Sequence, residues 1–269
     1  MLNNMWWSTN QMPNNKNFLS IPYLMFLPMH IGVLLIPFIS SFTLLNFCYF
    51  MLGYILICGL GNNVGLHRWA GHKSIELGTY SKYVVLFFSM MAGQGHAIWW
   101  AALHRGAHHK YSDTDKDIHS PIHGKWHAFH GWEWSHDPSK VNYKYVVDLL
   151  RDPLLVVTGK YYKSIVLLTW ILVGCINIDL LLWMFLLPAV LGLHLEGFVN
   201  LMCHINYGYR NFETKDNSRN VLLLGLFDWG NGWHNNHHYN QKSFDFGSDI
   251  SGKWYEFDAC RLFKPLLKL

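Results

Sequence analysis

Charge is scarce in this chain of 269 residues. Asp, Glu, Lys and Arg make up only 14% of it, against about 25% in an average soluble domain. The net charge of +4 is modest and unclustered, and no RNA or DNA recognition motif accompanies it, which argues against a nucleic-acid partner. The five cysteines form no C-x2-C pair. Their odd number, with four in apolar segments, predicts free thiols in a reducing, cytosol-facing protein. The N-terminal stretch MLNNMWWSTNQMPNNKN lacks the basic and apolar regions of a cleaved signal, so internal spans are expected to carry any membrane insertion. Solenoid repeats and low-complexity tracts are missing, as are haem, flavin and iron–sulfur motifs. What the chain has instead is 51% hydrophobic residues and 13 Trp, a composition that suits a membrane protein with interfacial aromatics.

The apolar residues come in long runs. Residues 21–40 carry no Lys, Arg, Asp or Glu, and residues 42–61 form a second such run. A bilayer core takes about 20 helical residues. Pro22, Pro28 and Pro37 bend or bound the first run without excluding it. Residues 161–201, broken at Asn177 and Asp179, are long enough for two more spans, about 161–178 and 180–201. The expected architecture is all-α: one integral-membrane domain over residues 1–269, with four transmembrane helices and a helical cap from 62–160 and 202–269. Residues 1–19 read as a loose tail or surface helix. Tyr80–Leu103 reads as one amphipathic or partly buried helix that delivers the second histidine cluster, and Tyr143–Arg151 as a short surface helix. Segment 62–160 holds eleven Lys and Arg, and eight follow His204. By the positive-inside rule the cap and both termini face the cytosol.

Histidine is the abundant chemical group, with 17 copies. Three clusters stand out: His67-x4-His72, His104-x3-His108-His109 and His234-x2-His237-His238. The expected topology puts all three on one side of the membrane, so they can share one polynuclear metal site. Neutral imidazole ligates iron, zinc, copper and nickel. Soluble di-iron proteins use paired Glu-x-x-His motifs, and this chain has one match, Glu133–His136, without a second. Histidine ligation of two irons is the remaining route. His96, His119, His123, His127, His130 and His136 read as structural or exposed, some of them lining the mouth of the site or supporting ligands. His30 reads as a packed or hydrogen-bonded side chain in a span. Glu196, inside the last span, faces the interior, where it either supports the site or packs.

The motifs HRWAGH, HRGAHHKYSDTDKD, AFHGW, DLLRDP, FVNLMCH, GYRNFETKDNSRN and WGNGWHNNHH, followed by WYEFD, resemble those of the membrane fatty-acid desaturase superfamily. The resemblance covers residues 20–265 and is greatest to the stearoyl-CoA and bacterial acyl-CoA Δ9-desaturase branch. It implies four transmembrane helices under a cytosolic cap, with two iron ions (Fe2+/Fe3+) held by His67, His72, His104, His108, His109, His204, His234, His237 and His238. It also implies that Asn200 reaches one iron through water, and that Gln94 and Trp100 line a bent acyl tunnel. The implied reaction places a cis double bond in a long-chain acyl-CoA, using O2 as co-substrate and two electrons from a b-type cytochrome or ferredoxin. The implied location is the endoplasmic reticulum if the source is eukaryotic or viral, and the inner membrane if bacterial.

Two positions depart from that branch. Its second cluster reads H-x2-HH, whereas this one reads H-x3-HH. One extra residue turns the following side chains by about 100°, which a π-bulge near Arg105–Ala107 can absorb. His104 and His108, at i and i+4, are expected to share a helix face. The branch's D-P-H reads Asp117-Ile-His119 here. Rival readings are an acyl-lipid or sphingolipid desaturase, a fatty-acyl hydroxylase, and a His-rich membrane transporter or metal-binding protein. A zinc hydrolase would need H-E-x-x-H, which is absent.

Overall fold

Thr43 starts the longest helix. Its side chain accepts from the Asn46 N–H at 3.1 Å, a cap that satisfies one of the free donors of the first turn. The computed structural model describes residues 21–268, so the expectation for residues 1–19 lies outside the described residues. Before Thr43 comes α1, Pro22–Ile39, and after it α2, Leu44–Gly71. Then follow α3, Thr79–Met91, α4, Ala97–Leu103, α5, Pro153–Lys160, α6, Tyr162–Ile176, and α7, Ile178–Met202. A short α8, His234–Tyr239, comes late in the chain. Among the described residues there is no strand, only isolated bridges from Asn220 to Tyr209 and to Trp233.

α1, α2 and α7 are long and apolar enough to cross a membrane; α5 and α6, bent by 67° at their junction, would make a fourth crossing if counted as one broken span. Their outer faces are apolar: Phe38 is 81% exposed and Ile176 83%. Water would not tolerate so continuous an apolar surface, and lipid would. Inside, Met29, Ile57, Val166, Trp170, Phe185 and Ala189 belong to the largest core cluster. Without a hydrophobic force between helices in lipid, close backbone approach does the packing. Gly53 provides it, since a Cβ there would lie 2.0 Å from the Met184 carbonyl oxygen of α7.

Two elements differ from the reading of the sequence. α2 does not stop at Gly61 but runs ten residues further and carries His67 with it. The amide N–H groups of the asparagines it passes through find partners. Asn62 donates to Glu196 on α7 at 2.6 Å, and Asn63 donates to the Cys58 carbonyl at 3.1 Å. The second difference lies in Tyr80–Leu103, which is two helices rather than one. Gly93 and Gly95 stand at φ +74° and +104°, where an L side chain is strained, and the bend between α3 and α4 carries Gln94. Residues 143–150 form the expected short helix, as a 3-10 turn followed by an α turn. The five cysteines are all free, with Cys48 and Cys175 exposed and the others buried.

Arg68 locks α2 to the C-terminal segments. Its wholly buried guanidinium meets the equally buried Asp258 carboxylate at 2.7 Å and donates to the Phe244 and Trp229 carbonyls. Removing one partner of such a pair strands the other charge and costs about 3–5 kcal/mol. Asp258→Ala is therefore expected to lower the thermal midpoint of the detergent-solubilised protein sharply; an unchanged midpoint would refute the role.

Candidate metal centre

Two helices present their histidines by the same device. At the end of α2 the His72 N–H donates to the His67 carbonyl, five residues back, at 3.0 Å. α4 continues into a π-helical turn, His104–His108, closed by the His109 N–H on the His104 carbonyl. The extra residue of the second cluster is absorbed there, at the bulge the spacing called for. Gly106 lets the turn pass Tyr145, whose ring would lie 2.4 Å from a Cβ. The π turn overturns one expectation. His104 does not side with His108 four positions on; it sides with His109 five positions on, as His67 does with His72. In α8 the α-helical spacing of four returns, pairing His234 with His238 and sending His237 elsewhere.

The outcome is two groups. His67, His72, His104, His109 and His237 form one, and His108, His204, His234 and His238 the other, the candidate ligand atoms of each lying within 4.8 Å of one another. All nine rings turn Nε2 inward. In the first group the Nε2 pairs His72–His104, His104–His109, His109–His237 and His67–His237 lie 2.7, 3.0, 3.0 and 3.1 Å apart. In the second, His204–His234 stands at 2.9 Å and His108–His238 at 3.2 Å.

The outward nitrogens explain the inward ones. His108 Nδ1 faces Asp117 at 3.2 Å, His204 Nδ1 faces Asp113 at 3.1 Å, and His238 Nδ1 faces Asp216 at 2.7 Å. Carboxylates only accept, so each Nδ1 carries the proton, and Nε2 of a neutral ring is then a bare lone pair. The lone pairs of His108 and His238 thus point at each other across 3.2 Å. They repel unless a cation lies between them, and a carboxylate behind a ligating histidine is the usual support of a metal site. The donor set fits two borderline divalent cations such as iron.

Burial lowers the pKa of His72, His104, His109, His234 and His237 far below the ordinary range, which keeps these rings in the neutral, ligating form. Burial would also lower His204, but the Asp113 carboxylate outweighs it and the shift is upward. Burial pushes the Asp216 carboxyl up, yet the facing His238 ring holds it below the usual carboxylate range.

A narrow cleft of about 60 Å³ opens on both groups. Gln94, Trp100 and Asn200 line it, with His67, His104, His108 and His234. Trp100 stacks on His104 at 4.6 Å. Glu196 also lines the cleft. It accepts from Asn231 at 2.7 Å, and the Oδ1 of Asn231 faces His67 Nδ1 at 2.8 Å, so Glu196 supports a site histidine through Asn231. The sequence reading missed Asp113, Asp216 and Asn231 as supports. Their only signal was position, inside the stretches HKYSDTDKD, GYRNFETKDNSRN and WGNGWHNNHH. It also set His119 among the structural or exposed histidines. His119 is buried, its ring 4.5 Å from that of His108, and burial lowers it to about 3. His96 and His127 keep structural roles: one caps α4, the other bonds the Ile118 carbonyl. His30 is hydrogen-bonded to Phe26 and His194.

A family model described as fatty acid desaturase matches residues 40–243. An sn-1 stearoyl-lipid 9-desaturase of Anabaena variabilis is 32% identical over 91% of this chain and 89% of its own length. An acyl-CoA C20 Delta5-desaturase of Anemone leveillei is 32% identical over 76% and 65%. A Delta-9 acyl-lipid desaturase of Arabidopsis thaliana is 31% identical over 85% and 73%.

Removing a carboxylate behind a ligating histidine typically costs about 10–100-fold in metal affinity. Titration with Co2+ is expected to find two ions per chain, and Asp216→Asn is expected to weaken one of them by that factor. Two unchanged affinities would show that Asp216 does not orient a ligand.

Proposed function

The chain belongs to the fatty acid desaturase family, and from that premise we propose that it places a cis double bond, at Δ9, in a long-chain acyl group carried on CoA. That it is an oxidoreductase acting on fatty-acyl chains follows from the family. The observation that supports the reading is the gathering of nine inward Nε2 atoms into two groups, four of whose rings line one cleft with Gln94, Trp100 and Asn200; the Δ9 position and the CoA carrier rest on the resemblance of the motifs. The nine histidines are the metal ligands of this proposal, with Asn200 acting through water. Two iron ions, when bound, supply the oxidising power that removes hydrogen from an unactivated CH2 with O2 and two external electrons.

The rest is the work of the chain. Asp113, Asp117 and Asp216 hold the protons of three rings on Nδ1 and so aim Nε2 inward. Trp100 covers His104 and keeps water from that side. Gln94 and Trp100 hold one C–C bond of the acyl chain beside the site, and the cleft, at about 60 Å³, must widen by side-chain movement to admit it. The electrons come from a b-type cytochrome or a ferredoxin. Four crossings, with both termini and the cap in the cytosol, are supported by the basic residues of segments 62–160 and 205–269. The membrane is the endoplasmic reticulum in a eukaryotic or viral setting and the inner membrane in a bacterial one. A second reading, an acyl group on a glycerolipid, is favoured by the stearoyl-lipid substrate in the name of the Anabaena relative.

The test is the fatty-acid and acyl-CoA profile of a host expressing the chain, with double bonds located by mass spectrometry. The expected result is a new cis-Δ9 monoene in the acyl-CoA pool, absent with His237→Ala although that variant still reaches the membrane. A monoene appearing first in glycerolipid would move the assignment to the second reading, and full activity of His237→Ala would remove that histidine from the site.

A further inference from the structure

Four titratable residues outside the two histidine groups form an unbroken chain into the cleft. Glu133 lines the cleft. Its Oε2 lies 3.0 Å from His130 Nδ1, and His130 Nε2 lies 2.7 Å from His194 Nδ1. His194 Nε2 lies 3.2 Å from His30 Nε2, and His30 Nδ1 lies 2.6 Å from the Phe26 carbonyl. His194 turns its two nitrogens to opposite neighbours, so the rings do not converge as metal ligands would.

Counting hydrogens decides what the chain holds. It has four polar contacts, and each needs one hydrogen. Three neutral imidazoles carry three. The Phe26 carbonyl only accepts, so it has none to give. The fourth hydrogen is therefore an additional proton shared by the unit. Placed on Glu133, it makes every bond run one way: Glu133 to His130, His130 to His194, His194 to His30, His30 to Phe26. Each hop along the chain moves it to a ring and leaves all four contacts satisfied. Without it, two lone pairs must face each other somewhere in the chain, and the unit draws a proton back.

We propose that Glu133, His130, His194 and His30 hold one proton in common and that Glu133 delivers it to the cleft during turnover. The inference rests on the desaturase reading, in which a saturated acyl chain, O2, two electrons from an external one-electron carrier protein and two protons yield the cis-alkene and two waters. The unit supplies one of those two protons and is then reprotonated. The resting place of the proton is Glu133, whose carboxyl burial pushes up to about 9, whereas burial lowers His130 to about 4. The contact between them is thus a neutral acid on a neutral ring rather than an ion pair.

Infrared spectroscopy of the iron-loaded protein in detergent at neutral pH tests this without turnover. The expected result is a protonated-carboxyl C=O band that vanishes in Glu133→Gln and is altered in His194→Leu, which cuts the chain in two. Glu133→Gln keeps the size of the side chain and its hydrogen bond to His130, and it is expected to lower kcat about a hundredfold with KM unchanged. Absence of a Glu133-dependent acid band would overturn the proposal whatever the enzyme's product, as would full kcat in Glu133→Gln. Failure of the desaturase reading shows itself separately, in the product profile, and leaves the infrared result standing.

Discussion

Bare nitrogen lone pairs crowded into a buried space are the constraint on which the rest of this structure depends. Nine imidazoles present Nε2 to two small volumes, and such an arrangement is stable only if the inward nitrogens stay unprotonated and meet a cation. Burial, which disfavours imidazolium, serves the first condition, and outward acceptors hold the proton of four neutral rings on Nδ1, although at His204 the carboxylate also shifts the pKa upward. Asp113, Asp117 and Asp216 are those acceptors for His204, His108 and His238. Asn231 faces His67 in the same position and is steadied in turn by Glu196. Supports scattered along the sequence follow from one electrostatic requirement.

That requirement also shapes the backbone. A helix with 3.6 residues per turn cannot stack rings five positions apart. His67–His72 and His104–His109 are so spaced, and π turns at both places bring them together. π turns are uncommon and concentrate at functional sites. α2 links the demand to the membrane, because it is at once an apolar span and the carrier of His67. It stays helical beyond its apolar stretch since Asn62, Asn63 and Arg68 each find buried partners. A continuous helix positions the first cluster more accurately than a loop would.

The chain of Glu133, His130, His194 and His30 carries the same logic in reverse. Where the metal groups leave lone pairs for cations, this chain matches every lone pair to a hydrogen. Both reach one cleft, the metal groups through four of their rings and the chain through Glu133, and both turn on which ring nitrogen bears the proton.

Much of this protein was legible from residue order. Apolar runs of bilayer length, scarce charge and three histidine spacings are local patterns, and local patterns dictate helices and the chemistry that those helices can bring together. The insertion in H-x3-HH even pointed to a remedy, because a π-bulge can absorb a single extra residue in a helix. Other features depended on distant partners. Whether α2 ended at Gly61 hinged on Glu196 and Asp258, 134 and 190 residues away from the side chains they meet. His108 parted from His104 because the π turn aimed it toward His204 and His238. Asp216, Asn231 and Glu133 belong to residue types found on any surface, and only the fold set them against imidazole. Sequence determined which groups could do chemistry, since identity and spacing are local. Tertiary structure decided which nitrogen of His67, His108, His204 and His238 carries the proton, since a tautomer is set by whatever the fold places against it.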